Sequence, residues 1–124
     1  MNIKNEDLER ALMIKAIIEK EFYKPLKVPH LVQLVGTNKN YLNAAFRYLT
    51  GDSTSEYLRK VRIEKAKDLL VHSDDCIDRI ATRVGLDRRS LEKQFKKLTE
   101  KTPRTWRVEN KKGYNYLRFD CKNN

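Results

Sequence analysis

The sequence repeats itself at an offset of 49 residues, and this repeat restricts the available folds more than any other feature. Val28 maps to Ile77, Leu31 to Ile80, Gly36 to Gly85, Leu42 to Leu91 and Phe46 to Phe95. Further on, Leu49 maps to Leu98, Thr50 to Thr99 and Tyr57 to Trp106. Each unit reads as a short helix, a glycine turn and a second helix that ends in an aromatic and basic segment. Leu31 and Leu42, like Ile80 and Leu91, fall on the facing sides of two helices. The glycine between them lets the chain take a positive φ and turn within about 3–4 residues. Such a helix-turn-helix can lay its second helix in a major groove. Two units do not make a solenoid, which needs about three repeats or more.

Helical periodicity and punctuation fill in the rest. Ala11, Ile14, Ile18 and Phe22 recur at helical spacing, which predicts a first helix over about Glu6 to Phe22 with Asn5 or Asp7 as its cap. Lys24-Pro25 ends it, since a residue before proline is pushed out of the α region. A short helix is expected from Val28 to Val35, with Pro29 in its first turn and Gly36 as its stop. The next runs from Asn38 or Lys39 to about Leu49, with Tyr41, Leu42, Ala45, Phe46 and Leu49 expected inward. Ser53-Thr54-Ser55-Glu56 is a capping box and opens a long helix to about Leu70. Asp75 is the expected cap of a helix from Cys76 to Val84. Another helix covers about Arg88 to Leu98, and Pro103 opens a last short turn carrying Trp106. From Asn110 onward the pattern gives no clear element. The expected fold is all-α, with two helix-turn-helix lobes joined by a long connecting helix. The expected division is residues 1–52, a connector over 53–72, a second lobe over 73–109, and a tail over 110–124.

Charge then points to a partner. The chain of 124 residues carries 27 Lys and Arg against 17 Asp and Glu, a net charge of +10. That excess predicts a polyanionic partner. In unit one the second helix offers Lys39, Asn40, Asn43 and Ala44 outward, followed by Arg47. In unit two it offers Arg88, Arg89, Glu92 and Lys93, followed by Lys96 and Lys97. Arg suits guanine O6/N7 and Asn suits adenine N6/N7, while cations further along suit phosphates. The same residues also fit a plain solvated basic face.

These residues resemble the AraC/XylS family of bacterial transcription regulators, over about Leu8 to Arg107. The segment from Glu56 to Leu70 resembles that family's long connecting helix. The segments Ile77 to Gly85 and Phe95-Lys96-Lys97, closing on Thr102-Pro103-Arg104-Thr105-Trp106-Arg107, resemble its second helix-turn-helix. The resemblance implies sequence-specific binding of double-stranded DNA and regulation of transcription. It implies recognition helices in successive major-groove segments on one side of the duplex. Base contacts are then expected from Asn40, Asn43, Ala44, Arg88, Arg89, Glu92 and Lys93, and backbone contacts from Lys39, Arg47, Lys96 and Lys97. The sequence departs from the family pattern at four places. Leu86 stands for the aromatic after the second glycine, and Glu100 for a glycine after the recognition helix. Val32 stands for a small alanine and is expected to widen the packing of unit one. Unit two is one residue shorter than usual between Gly85 and Phe95, so its turn should resemble that of unit one. A ligand-sensing or dimerisation domain, which the family often adds, does not fit in this length. The chain is thus a stand-alone member or the DNA-binding half of a longer protein.

Other chemistry finds little support. His72 and Cys76 have i,i+4 spacing but straddle a helix break and lack the further ligands that zinc wants. His30 reads as a surface residue. No glycine-rich phosphate loop occurs, so neither an enzyme nor a cofactor is expected. Cys76 and Cys121 read as free thiols in a reducing cytosol, and Met1-Asn2-Ile3-Lys4-Asn5 leads into charge as no secretory signal does. A cytoplasmic location follows. The expected partner is double-stranded DNA, with RNA polymerase as a candidate second partner, no membrane, and a single copy on DNA. The rival reading is a non-catalytic helical adaptor that acts on RNA polymerase or another regulator. An RNA-binding role lacks the paired aromatics of the usual platforms.

Overall fold

Each stretch of helical period becomes a helix in the computed structural model, which describes residues 3–113. These are α1 (Asn5–Glu21), α2 (Val28–Leu34), α3 (Lys39–Thr50), α4 (Thr54–His72), α5 (Ile77–Arg83), α6 (Arg88–Thr99) and α7 (Pro103–Asn110). No strand occurs among the described residues. They divide into two compact units, one up to Val61 and one from Arg62, so the border falls inside α4.

In the first unit α3 packs against α1 and α2. Ala11, Ile14 and Ile18 of α1 meet Leu31, Leu42, Ala45, Phe46 and Leu58 in one buried cluster. Asp7 does not cap α1. Its carboxylate accepts from Thr37 Oγ1 at 3.3 Å and lies near Arg10, and so ties α1 to the turn before α3. Asn5 is simply the first residue of α1. The capping box holds: Ser53 Oγ accepts from the Glu56 N–H at 3.2 Å, and Glu56 accepts from the Ser53 N–H at 3.1 Å.

In the second unit α6 packs against α5 and α7. Ile80, Ala81, Val84, Leu91 and Phe95 are buried, with Ile63, Ala66, Leu69 and Leu70 of α4. The segment after α6 holds more order than a short turn. α7 is a full helix, with Thr102 Oγ1 accepting from the Thr105 N–H at 3.1 Å and Pro103 at the first turn, where a missing donor costs little. The N-cap position of α5 falls to Cys76, and Asp75 instead pairs with Arg83 at 2.6 Å. Cys76 is disulfide-bonded, which corrects the free-thiol expectation there; that expectation rested on sequence separation and compartment, neither of which carries geometry. Cys121 lies outside the described residues, as does the tail beyond Gly113.

The offset of 49 is visible bond by bond. The Gly36 N–H reaches Gln33 O and the Gly85 N–H reaches Thr82 O, both at 3.1 Å. Gly36 has φ +66° and Gly85 φ +83°. Around Gly36 a Cβ would meet nothing within 4 Å, so the backbone conformation is the reason for glycine. The next residue closes the turn in both units, Thr37 N–H to Val32 O at 3.5 Å and Leu86 N–H to Ala81 O at 2.9 Å. The longer bond accompanies Val32, the bulkier residue. Thr50 Oγ1 donates to Phe46 O at 2.8 Å and accepts from the Asp52 N–H at 3.1 Å. Thr99 Oγ1 donates to Phe95 O at 2.7 Å and accepts from the Lys101 N–H at 3.1 Å. Phe46 meets Tyr57 edge-on at 5.3 Å, and Phe95 meets Trp106 at 5.7 Å.

A further repeat escaped the sequence reading. The buried stripe Ala11, Ile14, Ile18 of α1 reappears on α4 as Ile63, Ala66, Leu70, at an offset of 52. Lys15 lies over the Tyr57 ring at 5.8 Å and Lys67, again 52 later, over Trp106 at 5.0 Å. α4 thus starts as the closing helix of one unit and ends as the supporting helix of the next.

Candidate nucleic-acid interface

Helices α3 and α6 each have one face committed to a core, which leaves the opposite arc for a partner. About 100° of rotation per residue puts Leu42, Ala45 and Phe46 on the buried side of α3, and Leu91 and Phe95 on that of α6. Asn38 opens α3 by accepting from the Asn40 N–H at 2.7 Å, and Asp87 opens α6 by accepting from the Ser90 N–H at 2.7 Å. The Ser90 N–H holds the Asp87 carboxyl below the usual aspartate range.

On α3, Lys39, Asn40 and Arg47 are exposed, and Asn43 and Ala44 are half-buried. On α6, Arg88, Arg89, Glu92, Lys93, Lys96 and Lys97 are all exposed. The eleven positions therefore lie on the outward arcs of two equivalent helices, but they are not equally available. Asn43 Oδ1 accepts from Thr54 Oγ1 at 3.1 Å and from the Thr54 N–H at 3.5 Å. Arg88 donates to Glu92 at 3.1 Å and to Asp78 at 3.3 Å. Arg47 pairs with Glu56 at 3.1 Å. Asn43 and Glu92, 49 apart, are thus both engaged inside their own unit. Lys39, Arg89, Lys93, Lys96 and Lys97 form no ion pair among the described residues.

Tyr41 and Leu49 correct the inward assignment. Tyr41 is 59% exposed because it falls at the margin of the arc centred on Leu42, Ala45 and Phe46; Leu49 shares that arc but lies in the last turn of α3 and is 37% exposed. Tyr48, which the sequence reading passed over, is 72% exposed. It lies seven positions from Tyr41, and that i,i+7 spacing was the signal available.

The sequence pattern of the helix-turn-helix domain family matches residues 31–109. The chain is 33% identical over 98 residues to the HTH-type transcriptional activator RhaR of Cronobacter sakazakii, a match covering 78% of this chain and 35% of RhaR. It therefore spans about a third of that relative's length. Among solved structures it resembles the C-terminal domain of AraT, a response regulator from Geobacillus stearothermophilus. The TM-score is 0.79 at 22% identity, over 94% of this chain and 96% of that one. It also resembles the DNA-binding domain of the global transcriptional factor AdpA, solved in complex with a target DNA. There the TM-score is 0.75 at 23% identity, over 80% and 90% of the two chains. At these identities both likenesses speak for the fold.

Proposed function

The chain belongs to the AraC/XylS-type helix-turn-helix family, and on that premise we propose that it binds double-stranded DNA sequence-specifically and regulates transcription, with α3 and α6 reading successive major-groove segments. The observation that carries this reading is the pair of outward arcs. The same two positions point away from each core, Asn40 and Ala44 on α3 and Arg89 and Lys93 on α6, 49 residues apart. These four are the proposed base-contacting residues. Asn43, Arg88 and Glu92 are proposed to position the helices or their neighbours, because their polar atoms already have partners. Lys39, Arg47, Lys96 and Lys97 are assigned to phosphates.

Residues 1–52 and 73–109 act as the two lobes in this reading, with 53–72 as connector. One copy already carries two reading helices, which supports binding as a monomer. Contact with RNA polymerase belongs to the same reading, as does a cytoplasmic location, where a bacterial chromosome lies. No helix among the described residues is long and apolar enough to cross a membrane. The relatives are transcription regulators, and no catalytic step enters the proposal.

Salt titration tests it. Neutralising about 6–10 phosphates should weaken binding roughly a thousandfold or more between about 50 and 200 mM salt. Polarisation measurements on a labelled duplex read this directly. A flat response would favour the helical adaptor instead.

A further inference from the structure

The two reading helices share their scaffold and differ in what they present. On the outward arc of α3, Asn40 and Ala44 are bordered on one side by Tyr41 and Tyr48. At the equivalent places α6 has Arg89 and Lys93, bordered by Ser90 and Lys97. Two largely exposed tyrosine rings on one helix edge are apolar surface that gains by being covered. Neither hydroxyl hydrogen-bonds to another described residue. On α6 the matching edge holds one serine and one cation, and no aromatic ring.

Base edges differ in the same way. Thymine presents a methyl group in the major groove and adenine presents N6 and N7, which an asparagine amide matches in bidentate fashion. Guanine presents two acceptors, N7 and O6, which suit arginine and lysine. Ala44 and the tyrosine edge have no donor geometry for guanine beyond a hydroxyl, but they offer carbon to a methyl. Arg89 and Lys93 offer only donors. The cations follow the same division. Arg89, Lys93, Lys96 and Lys97 on α6 form no ion pair among the described residues, whereas on α3 only Lys39 is in that state, since Arg47 faces Glu56.

We propose that the first lobe reads an A·T block, with Asn40 on adenine and with thymine methyls against Ala44 and the Tyr41–Tyr48 edge, while the second lobe reads a guanine-containing block through Arg89 and Lys93. This rests on the DNA-binding reading above and specifies its target: a two-block site of unequal base composition.

The test is selection of bound duplexes from a randomised library with the full chain. The selected duplex is then resynthesised with deoxyuridine for thymine or with 7-deazaguanine for guanine. Two blocks should emerge, one rich in A·T and one containing guanine. Losing one packed methyl should weaken binding about fourfold. Losing a guanine N7 should weaken it about fivefold or more. Y41S/Y48S should shrink the deoxyuridine effect and leave the 7-deazaguanine effect intact, and R89A should do the reverse. All are surface changes, and circular dichroism checks the fold. Two blocks of like composition, a deoxyuridine duplex bound as tightly as the parent, or sensitivities that cross between the variants would overturn the assignment and leave DNA binding standing. Failure to select any sequence would instead overturn the sequence-specific reading on which it rests.

Discussion

Lobe one ends α3 on Gly51 at φ +82°, and lobe two ends the equivalent helix α6 on Glu100 at φ +66°. Both C-caps hold the same bond, Gly51 N–H to Arg47 O and Glu100 N–H to Lys96 O, each at 2.8 Å. Lobe one opens that helix on neutral Asn38, lobe two on Asp87. Lobe one closes on Leu58, lobe two on Arg107, which is 1% exposed, yet each closing residue follows the aromatic that meets the equivalent phenylalanine. The backbone bonds and the aromatic pair are what the two lobes keep. Side chains at caps and on the outer arc are what they vary. A helix-turn-helix is therefore specified by few contacts, and most of its surface is left free to diverge.

The largest test of this equivalence is in the cores. Phe46→Ala and Phe95→Ala should each lower stability by about 3–5 kcal/mol, since both rings are fully buried and both lose an edge-on partner. Urea unfolding followed by circular dichroism measures this. A large cost at one ring and none at the other would break the equivalence.

The C-caps come next. A non-glycine residue in the left-handed region costs about 1–2 kcal/mol, offset in part by the entropy that glycine adds to the unfolded chain. Glu100→Gly should therefore stabilise the protein by about 0.5–1 kcal/mol, and Gly51→Ala should destabilise it by about 1 kcal/mol. Thermal melts of the two variants should move in opposite directions. Equal movements would mean that the caps are not equivalent.

The smallest effect separates the N-caps. The Asp87 carboxyl is held below the usual aspartate range by the Ser90 N–H, so its folded value lies under its unfolded one. Its contribution is present above the unfolded value and is lost as pH falls through the folded one. Asn38 does not titrate. In acid the Ser90 amide resonance should shift, with a midpoint below that of an ordinary aspartate, while the Asn40 amide stays put. Asp87→Asn should abolish the Ser90 titration. A moving Asn40 amide would show that something other than the cap is being read.

Much of the fold was legible because it is punctuated locally. Gly36, Gly85 and the Ser53–Glu56 box act on backbone within a few residues, so their spacing alone predicts them. The shared role of α4 was not legible at an offset of 49. Phe22–Lys27 between α1 and α2 is longer than Ser73–Cys76 between α4 and α5, and this puts the supporting helices in a different register. The candidate site was legible as a set of outward positions but not as a ranking. Asn43 and Arg88 look as available as Asn40 and Arg89 until Thr54 and Asp78 are placed beside them, eleven and ten positions away in the chain. Such pairings are made by the packing of helices and leave no periodic trace.

Arg107 has one more consequence. Its guanidinium donates to Leu70 O at 2.8 Å, to Ser73 O at 3.2 Å and to Leu69 O at 3.4 Å, and Lys111 Nζ adds Val71 O at 3.0 Å. Leu69 O also accepts from the Ser73 N–H at 3.0 Å, but Leu70 O and Val71 O lie in the last turn of α4, where carbonyls lack an intrahelical donor. A chain leaving the ribosome completes the first lobe's own cluster once Leu58 has emerged. The end of α4 waits for a residue made 37 positions after Leu70. Until then water must serve Leu70 O and Val71 O. During synthesis the first lobe can close early, whereas the second is sealed only when α7 has been translated.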